Sequence, residues 1–184
     1  MPFEESRRWR KGTATAGFYG KAARPRLGDR ERERDRAKVV KPEAMPWEDS
    51  PQGRLKHICN GEMNVRVNSV DAYMQELAPA GRSGKHRHMA DEALYVLEGR
   101  GYDLHWDVDF ELGTTYEWKV AAEPTRWEWE AGDVVYIPPN TVHQHFNADP
   151  ERPARFISAQ NRVFKTIGYD DVEQIENAPD WKPR

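Results

Sequence analysis

The sequence predicts an all-β fold, a compact antiparallel barrel or sandwich preceded by an irregular N-terminal arm. Three observations predict it. Apolar and polar residues alternate with period two over most of the chain from about Lys56 onward. Glycines and prolines fall between those runs, where tight turns are needed. Almost no stretch shows a helical period, and many short strands joined by Gly/Pro turns suit a barrel or sandwich.

Residues 1–45 show no sustained apolar period and read as a flexible or subunit-docking arm. Residues 1–41 carry thirteen Lys/Arg against six Asp/Glu, a net of +7, in a chain whose total is −3. The run Arg30-Glu-Arg-Glu-Arg-Asp-Arg36 alternates in sign and partly neutralises itself, which argues against a nucleic-acid arm. Pro42 and Pro46 punctuate the end of this region, and the Trp47 stretch is placed to dock on the core.

Residues 46–168 form the predicted barrel. A strand covers 72–78. Tyr102, Leu104, Trp106, Val108 and Phe110 alternate with Asp103, His105, Asp107 and Asp109 in a long strand with one apolar and one polar face, which puts His105 at the surface. Trp127 and Trp129 alternate with charged neighbours, Val134 to Ile137 is a short β-rich run, and Arg155 to Phe164 is a further strand. Seven Trp, seven Tyr and six Phe can fill a compact core, with Tyr95, Trp106, Trp127, Trp129, Tyr136 and Phe146 as its expected aromatic members. Residues 169–184 form a tail in which Asp170 to Glu176 admits a short helix.

No apolar run is long enough for a membrane-spanning helix, and Met1-Pro-Phe-Glu-Glu-Ser lacks a secretory pattern, so a cytoplasmic location is expected. Cys59 stands alone, which rules out an internal disulfide; it reads as a small packing residue. His57 carries no signal.

The chemistry sits in two stretches. In the first, His86 and His88 are two apart, so on a strand both imidazoles share a face, and Glu92 opens the next strand four residues later. In the second, Val134 to Ile137 leads through Pro138-Pro139-Asn140 to His143. An antiparallel barrel can bring these hairpins face to face and assemble a divalent-metal site from nitrogen and oxygen donors. Such donors suit iron, manganese, nickel, copper or zinc. His145 points to the same side as His143 and is the candidate proton carrier or catalytic residue.

These two stretches resemble the paired motifs of the cupin superfamily. His86, His88, Glu92 and Gly99 match the first motif at its spacing; Gly132, Pro138, His143 and Asn147 match the second. Two departures stand out: the upstream glycine is displaced, with Gly81 five and Gly84 two residues before His86, and Asn140 replaces the usual turn glycine. Asn tolerates the left-handed conformation such a turn requires. The resemblance covers about residues 56–165. It implies a double-stranded β-helix of jelly-roll type, one divalent ion held by His86, His88, Glu92 and His143, and a homodimer.

Within the superfamily the chain looks most like small bacterial members related to ring-cleaving dioxygenases of the gentisate type, many of which use only the histidines. That resemblance implies an oxygenase with Fe(II), acting with O2 on a small aromatic or enol-type chelating substrate. An oxygen-independent isomerase, hydrolase or decarboxylase, and a non-catalytic ligand-binding module, stand as alternatives.

Overall fold

The computed structural model describes residues 12–19, 35–67, 69–114, 116–169 and 172–183. Its strands, in chain order, are β1 (Trp47–Ser50), β2 (Gly53–Cys59), β3 (Val70–Leu77), β4 (Lys85–Arg87), β5 (Glu92–Glu98), β6 (Arg100–Trp106), β7 (Val108–Leu112), β8 (Tyr116–Val120), β9 (Thr125–Glu130), β10 (Val134–Ile137), β11 (Val142–Asn147), β12 (Ala154–Asn161) and β13 (Glu173–Glu176), with one helical turn, α1 (Val163–Thr166), after β12. A six-stranded sheet in the order β1-β2-β3-β12-β5-β10 faces a five-stranded sheet in the order β13-β4-β11-β6-β9, and β7-β8 is a separate hairpin. The paired strands are antiparallel. The sequence-predicted all-β jelly-roll is therefore the observed architecture.

The interior is divided along the strand direction. Leu77, Leu94, Val96, Ile137, Ala154 and Phe156 from the six-stranded sheet pack against Trp129 of the five-stranded sheet. Trp129 and Phe156 meet edge to face, with ring centroids 6.3 Å apart. The same strands turn polar further along: the inward face of β5 runs from Val96 and Leu94 to Glu92, and that of β12 runs from Phe156 to Ser158 and Gln160. Each strand thus spends half its inward face on the apolar core and half on a polar cluster.

Gly101 shows how closely the five-stranded sheet packs. A Cβ at this position would lie 2.0 Å from the Phe146 carbonyl oxygen and 2.5 Å from the Trp129 ring. The indole therefore occupies the space a side chain would need.

Four expectations are corrected. The long strand over 102–110 is broken at Asp107, where β6 ends and the β7-β8 hairpin leaves the sheet. Its polar side, with Asp103 and His105, faces inward, and both residues are buried. The tail places a strand at Glu173–Glu176, because Glu173 and Gln174 pair with Arg87 and His86 on the free edge of β4 and an Arg87–Glu173 ion pair of 2.6 Å closes the contact; Asp170 and Asp171 lie outside the described residues. The strand assigned to 155–164 ends at Asn161, and α1 follows. Among the aromatic residues expected in the core, Trp129 is buried, whereas Tyr95, Trp127 and Tyr136 are about half exposed on outer faces.

Parts of the N-terminal region lie against the chain's own barrel. The amides of Thr15 and Ala16 donate to the Trp47 carbonyl, and Arg36, itself buried, donates to the carbonyls of Gly61 and Val65. Residues 1–11 and 20–34, which include most of the alternating charge run, lie outside the described residues.

Replacing Gly101 by Ala is expected to destabilise the fold by about 1–3 kcal/mol, because the Phe146 carbonyl is backbone and cannot rotate away. Urea unfolding of the variant against the parent chain measures it.

Candidate metal centre

His86 and His88 flank Arg87 on and just after β4, Glu92 opens β5, and His143 lies on β11 directly opposite His86 in the antiparallel register. All four side chains are at most 2% exposed. One donor atom from each can be chosen so that the four lie within 4.8 Å of one another. Glu92 Oε2 is 3.0 Å from His88 Nε2 and 3.7 Å from His143 Nε2. The two hairpins that sequence spacing singled out do meet inside the barrel.

The outer partners decide what the inner atoms can do. His88 Nδ1 donates to the Ala90 carbonyl at 2.7 Å, and His143 Nδ1 donates to the Thr141 carbonyl at 2.9 Å. A carbonyl can only accept, so the ring proton sits at Nδ1 and each neutral imidazole turns a lone pair at Nε2 toward the cluster. Glu92 Oε1 accepts from Tyr73 Oη at 3.0 Å and from Ser158 Oγ. That orients the carboxylate and leaves Oε2 directed at the histidines. The Asn140 turn adopts φ 61°, the left-handed conformation expected of it, and its amide donates to the His88 carbonyl.

Electrostatics point the same way. Burial pushes the His86 imidazole well below its usual range, and burial with the neighbouring His88 brings His143 down to about 3. Both are neutral at pH 7, the form that ligates a metal. Burial alone would raise the Glu92 carboxyl, but the adjacent His88 and the other surrounding imidazoles outweigh it and hold Glu92 well below the usual carboxylate range. Burial, reinforced by the Glu92 charge, raises Tyr73, so its hydroxyl keeps the proton it donates.

These residues fit a divalent ion. An ion with bonds of about 2.0–2.2 Å holds its ligands up to roughly 4.4 Å apart, so the cluster closes with shifts of a few tenths of an ångström. Neither ring nitrogen of His86, nor Nε2 of His143, has a hydrogen-bond partner, although all are buried. Buried polar atoms are rarely left so, and a bound cation would take Nε2 of His143 and one of the two His86 nitrogens.

A second group adjoins the first. His145 Nδ1 lies 2.9 Å from Asp103 Oδ2, a close ionic contact without the geometry of a linear hydrogen bond. Asp103 Oδ1 accepts from Trp129 Nε1 at 2.8 Å, and Asp103 Oδ2 is 3.5 Å from His105 Nε2. Burial would raise the Asp103 carboxyl, but His145 and the surrounding donors hold it below its usual range; the same carboxylate raises His145 against the effect of burial. Tyr73 and Ser158 carry no signal in the sequence, and Asp103 and His105 read there as the outward, polar side of a strand. Only their positions on alternating strands marked them, and alternation does not say which face looks inward.

The remaining flagged residues lie elsewhere. His57 is buried beneath the N-terminal segment, with Nε2 2.6 Å from Glu48 Oε2. Cys59 is half-buried, and burial raises its thiol, so it is not primed as a nucleophile. No helix among the described residues is long and apolar enough to cross a membrane.

Comparison with known proteins agrees with this geometry. The cupin domain family matches residues 73–159, which run from β3 to β12 and hold all four clustered ligands. The barrel is a cupin domain. The chain is similar to two auxin-binding proteins of Nicotiana tabacum, T92 and T85, each 25% identical over 140 residues, covering 75% of this chain and 71% of theirs. Among solved structures it is similar to oxalate decarboxylase from Bacillus subtilis, with a TM-score of 0.50 at 16% identity, a likeness of fold. That match covers 67% of this chain but only 28% of the decarboxylase.

His143→Ala is expected to weaken divalent-metal affinity by more than the 10–100-fold that loss of an outer hydrogen-bond partner typically costs, whereas Ser158→Ala, which leaves Tyr73 on Glu92, should fall within or below about that range. Zn(II) titration against a chelating dye orders the two.

Proposed function

We propose that this cupin domain is a metal-dependent enzyme that oxidises a small aromatic or enol-type chelating compound with O2. The observation that carries the reading is the buried cluster of three imidazoles and one carboxylate, set beside a second buried row of ionisable groups. His86, His88, Glu92 and His143 would hold the ion. When bound, a redox-active divalent ion such as Fe(II) supplies Lewis acidity and one-electron redox capacity that no side chain offers.

The protein's own residues do the rest. Three neutral imidazoles and one carboxylate leave about +1 of charge on a divalent ion, which draws an anionic chelator rather than a neutral one. Glu92 is kept anionic by the neighbouring imidazoles, His88 first, and Tyr73 and Ser158 fix its orientation. Phe156 and Trp129 wall one side of the site and exclude water, with Phe156 edge-on to His145 at 4.9 Å. His145, against Asp103, holds a proton at Nδ1 next to the cluster and is the residue proposed to carry it to or from substrate.

The similarity to the tobacco proteins favours a second reading, binding of a small aromatic acid without turnover. The Mn(II) centres of the Bacillus subtilis decarboxylase make manganese the metal to compare with iron.

The test is oxygen consumption by the protein loaded with Fe(II), Mn(II) or Zn(II), with catechol, gentisate, a flavonol and a β-diketone as substrates. The Fe(II) form is expected to consume O2 with one of these classes, and His143→Ala to fall to background. Product formation in the absence of O2 would replace the oxygenase reading with isomerase, hydrolase or decarboxylase chemistry. Tight binding of auxin with no turnover under any condition would make the chain a binding protein.

A further inference from the structure

The inward faces of three neighbouring strands line up three imidazoles. His143 on β11 pairs in register with His86 on β4 on one side and with His105 on β6 on the other. Two residue pairs further along, His145 pairs with Asp103. His105 is therefore placed like a ligand, one strand away from the metal cluster, yet it does not belong to it: the four clustered donors are His86, His88, Glu92 and His143, and the His105 and His143 ring centroids are 6.3 Å apart.

His105 is 3% exposed, and its Nε2 is buried with no hydrogen-bond partner. The nearest acceptor is Asp103 Oδ2 at 3.5 Å, beyond a good hydrogen bond but close enough to favour the tautomer with its proton at Nε2. Asp103 is itself tied down by Trp129 Nε1 and His145. The result is an N–H donor held in place inside the barrel, next to the metal cluster and without an acceptor of its own. Such a group is costly unless something bound there accepts from it.

We propose that His105 contacts substrate: its Nε2–H, steered by Asp103, donates to a substrate oxygen that is not among those chelating the ion. Asp103 is then a positioning residue. The substrate class follows: compounds with a third oxygen beside the chelating pair, above all 2-hydroxycarboxylates and aromatic hydroxycarboxylates. These chelate through the hydroxyl and one carboxylate oxygen and leave the other carboxylate oxygen to accept. The inference rests on the reading of the cluster as a metal site that takes a chelating substrate.

Two probes separate the parts. Salicylate chelates through its phenolate and one carboxylate oxygen and presents a third oxygen; catechol chelates through two and presents none. With protein loaded with Co(II), calorimetry and the cobalt absorption spectrum report binding without any turnover. His105→Leu is expected to weaken salicylate by about tenfold or more, leave catechol within about threefold, and leave both cobalt content and the ligand-free cobalt spectrum as in the parent. His105→Gln, which keeps an N–H donor, should recover part of the loss. Asp103→Asn, which keeps an acceptor for Trp129, should lose salicylate selectively in the same way.

Equal loss of both probes, no loss of salicylate, or a changed ligand-free cobalt spectrum in His105→Leu would overturn the assignment while leaving the metal site standing. Failure of the parent protein to bind cobalt would instead overturn the metal reading, and this inference with it. Should His105→Leu not fold, the Asp103→Asn and His105→Gln pair decides by the same salicylate-to-catechol ratio.

Discussion

Sealing three imidazoles and a carboxylate inside a β-barrel is the constraint on which the rest of this structure depends. Each buried polar group left without a partner costs about 1–3 kcal/mol, and an unpaired carboxylate costs more. The barrel answers with a shell of donors and acceptors drawn from far apart in the chain. The Thr141 and Ala90 carbonyls set two imidazoles, the hydroxyls of Tyr73 and Ser158 set Glu92, and Trp129 anchors the neighbouring Asp103. Among the buried atoms still unpartnered after this are those of His86 and His143, and a cation would take one nitrogen from each of these rings.

The same constraint explains the divided interior. A barrel this small cannot stay folded on a polar centre alone, so β3, β5 and β12 give one end of their inward faces to Leu, Val, Ala and Phe and the other to the site, while β10 adds Ile137 to the apolar half. Trp129 joins the two halves. Its ring packs on Phe156 and fills the space over Gly101, while its indole N–H reaches Asp103. Packing and polar order are thus coupled through one side chain, and a change in the apolar half is felt at the site.

A cupin fold hosts many chemistries, and likeness to a decarboxylase at 16% identity speaks to the barrel alone. Around the four clustered residues this chain places the Asp103–His145 contact and His105, whose Nε2 has no hydrogen-bond partner, and specificity within a shared fold resides in such groups.

The sequence by itself determined the β class, the turns and which four residues, His86, His88, Glu92 and His143, come together in the buried cluster. Strand periodicity and His-x-His spacing act through covalent geometry over a few residues, so they can be read locally. It also marked Asn140 as a turn residue able to take positive φ. Only the tertiary structure decided which side of β6 looks inward, that Glu173–Glu176 completes the edge of β4, and that Trp127 and Tyr136 stay outside. Alternation labels two faces without saying which is buried, and the usual inference, apolar face inward, fails where the interior itself must be polar. Asp103 and His105 are inside because the site needs hydrogen-bonding groups there, a requirement set by residues on other strands and invisible along any one of them.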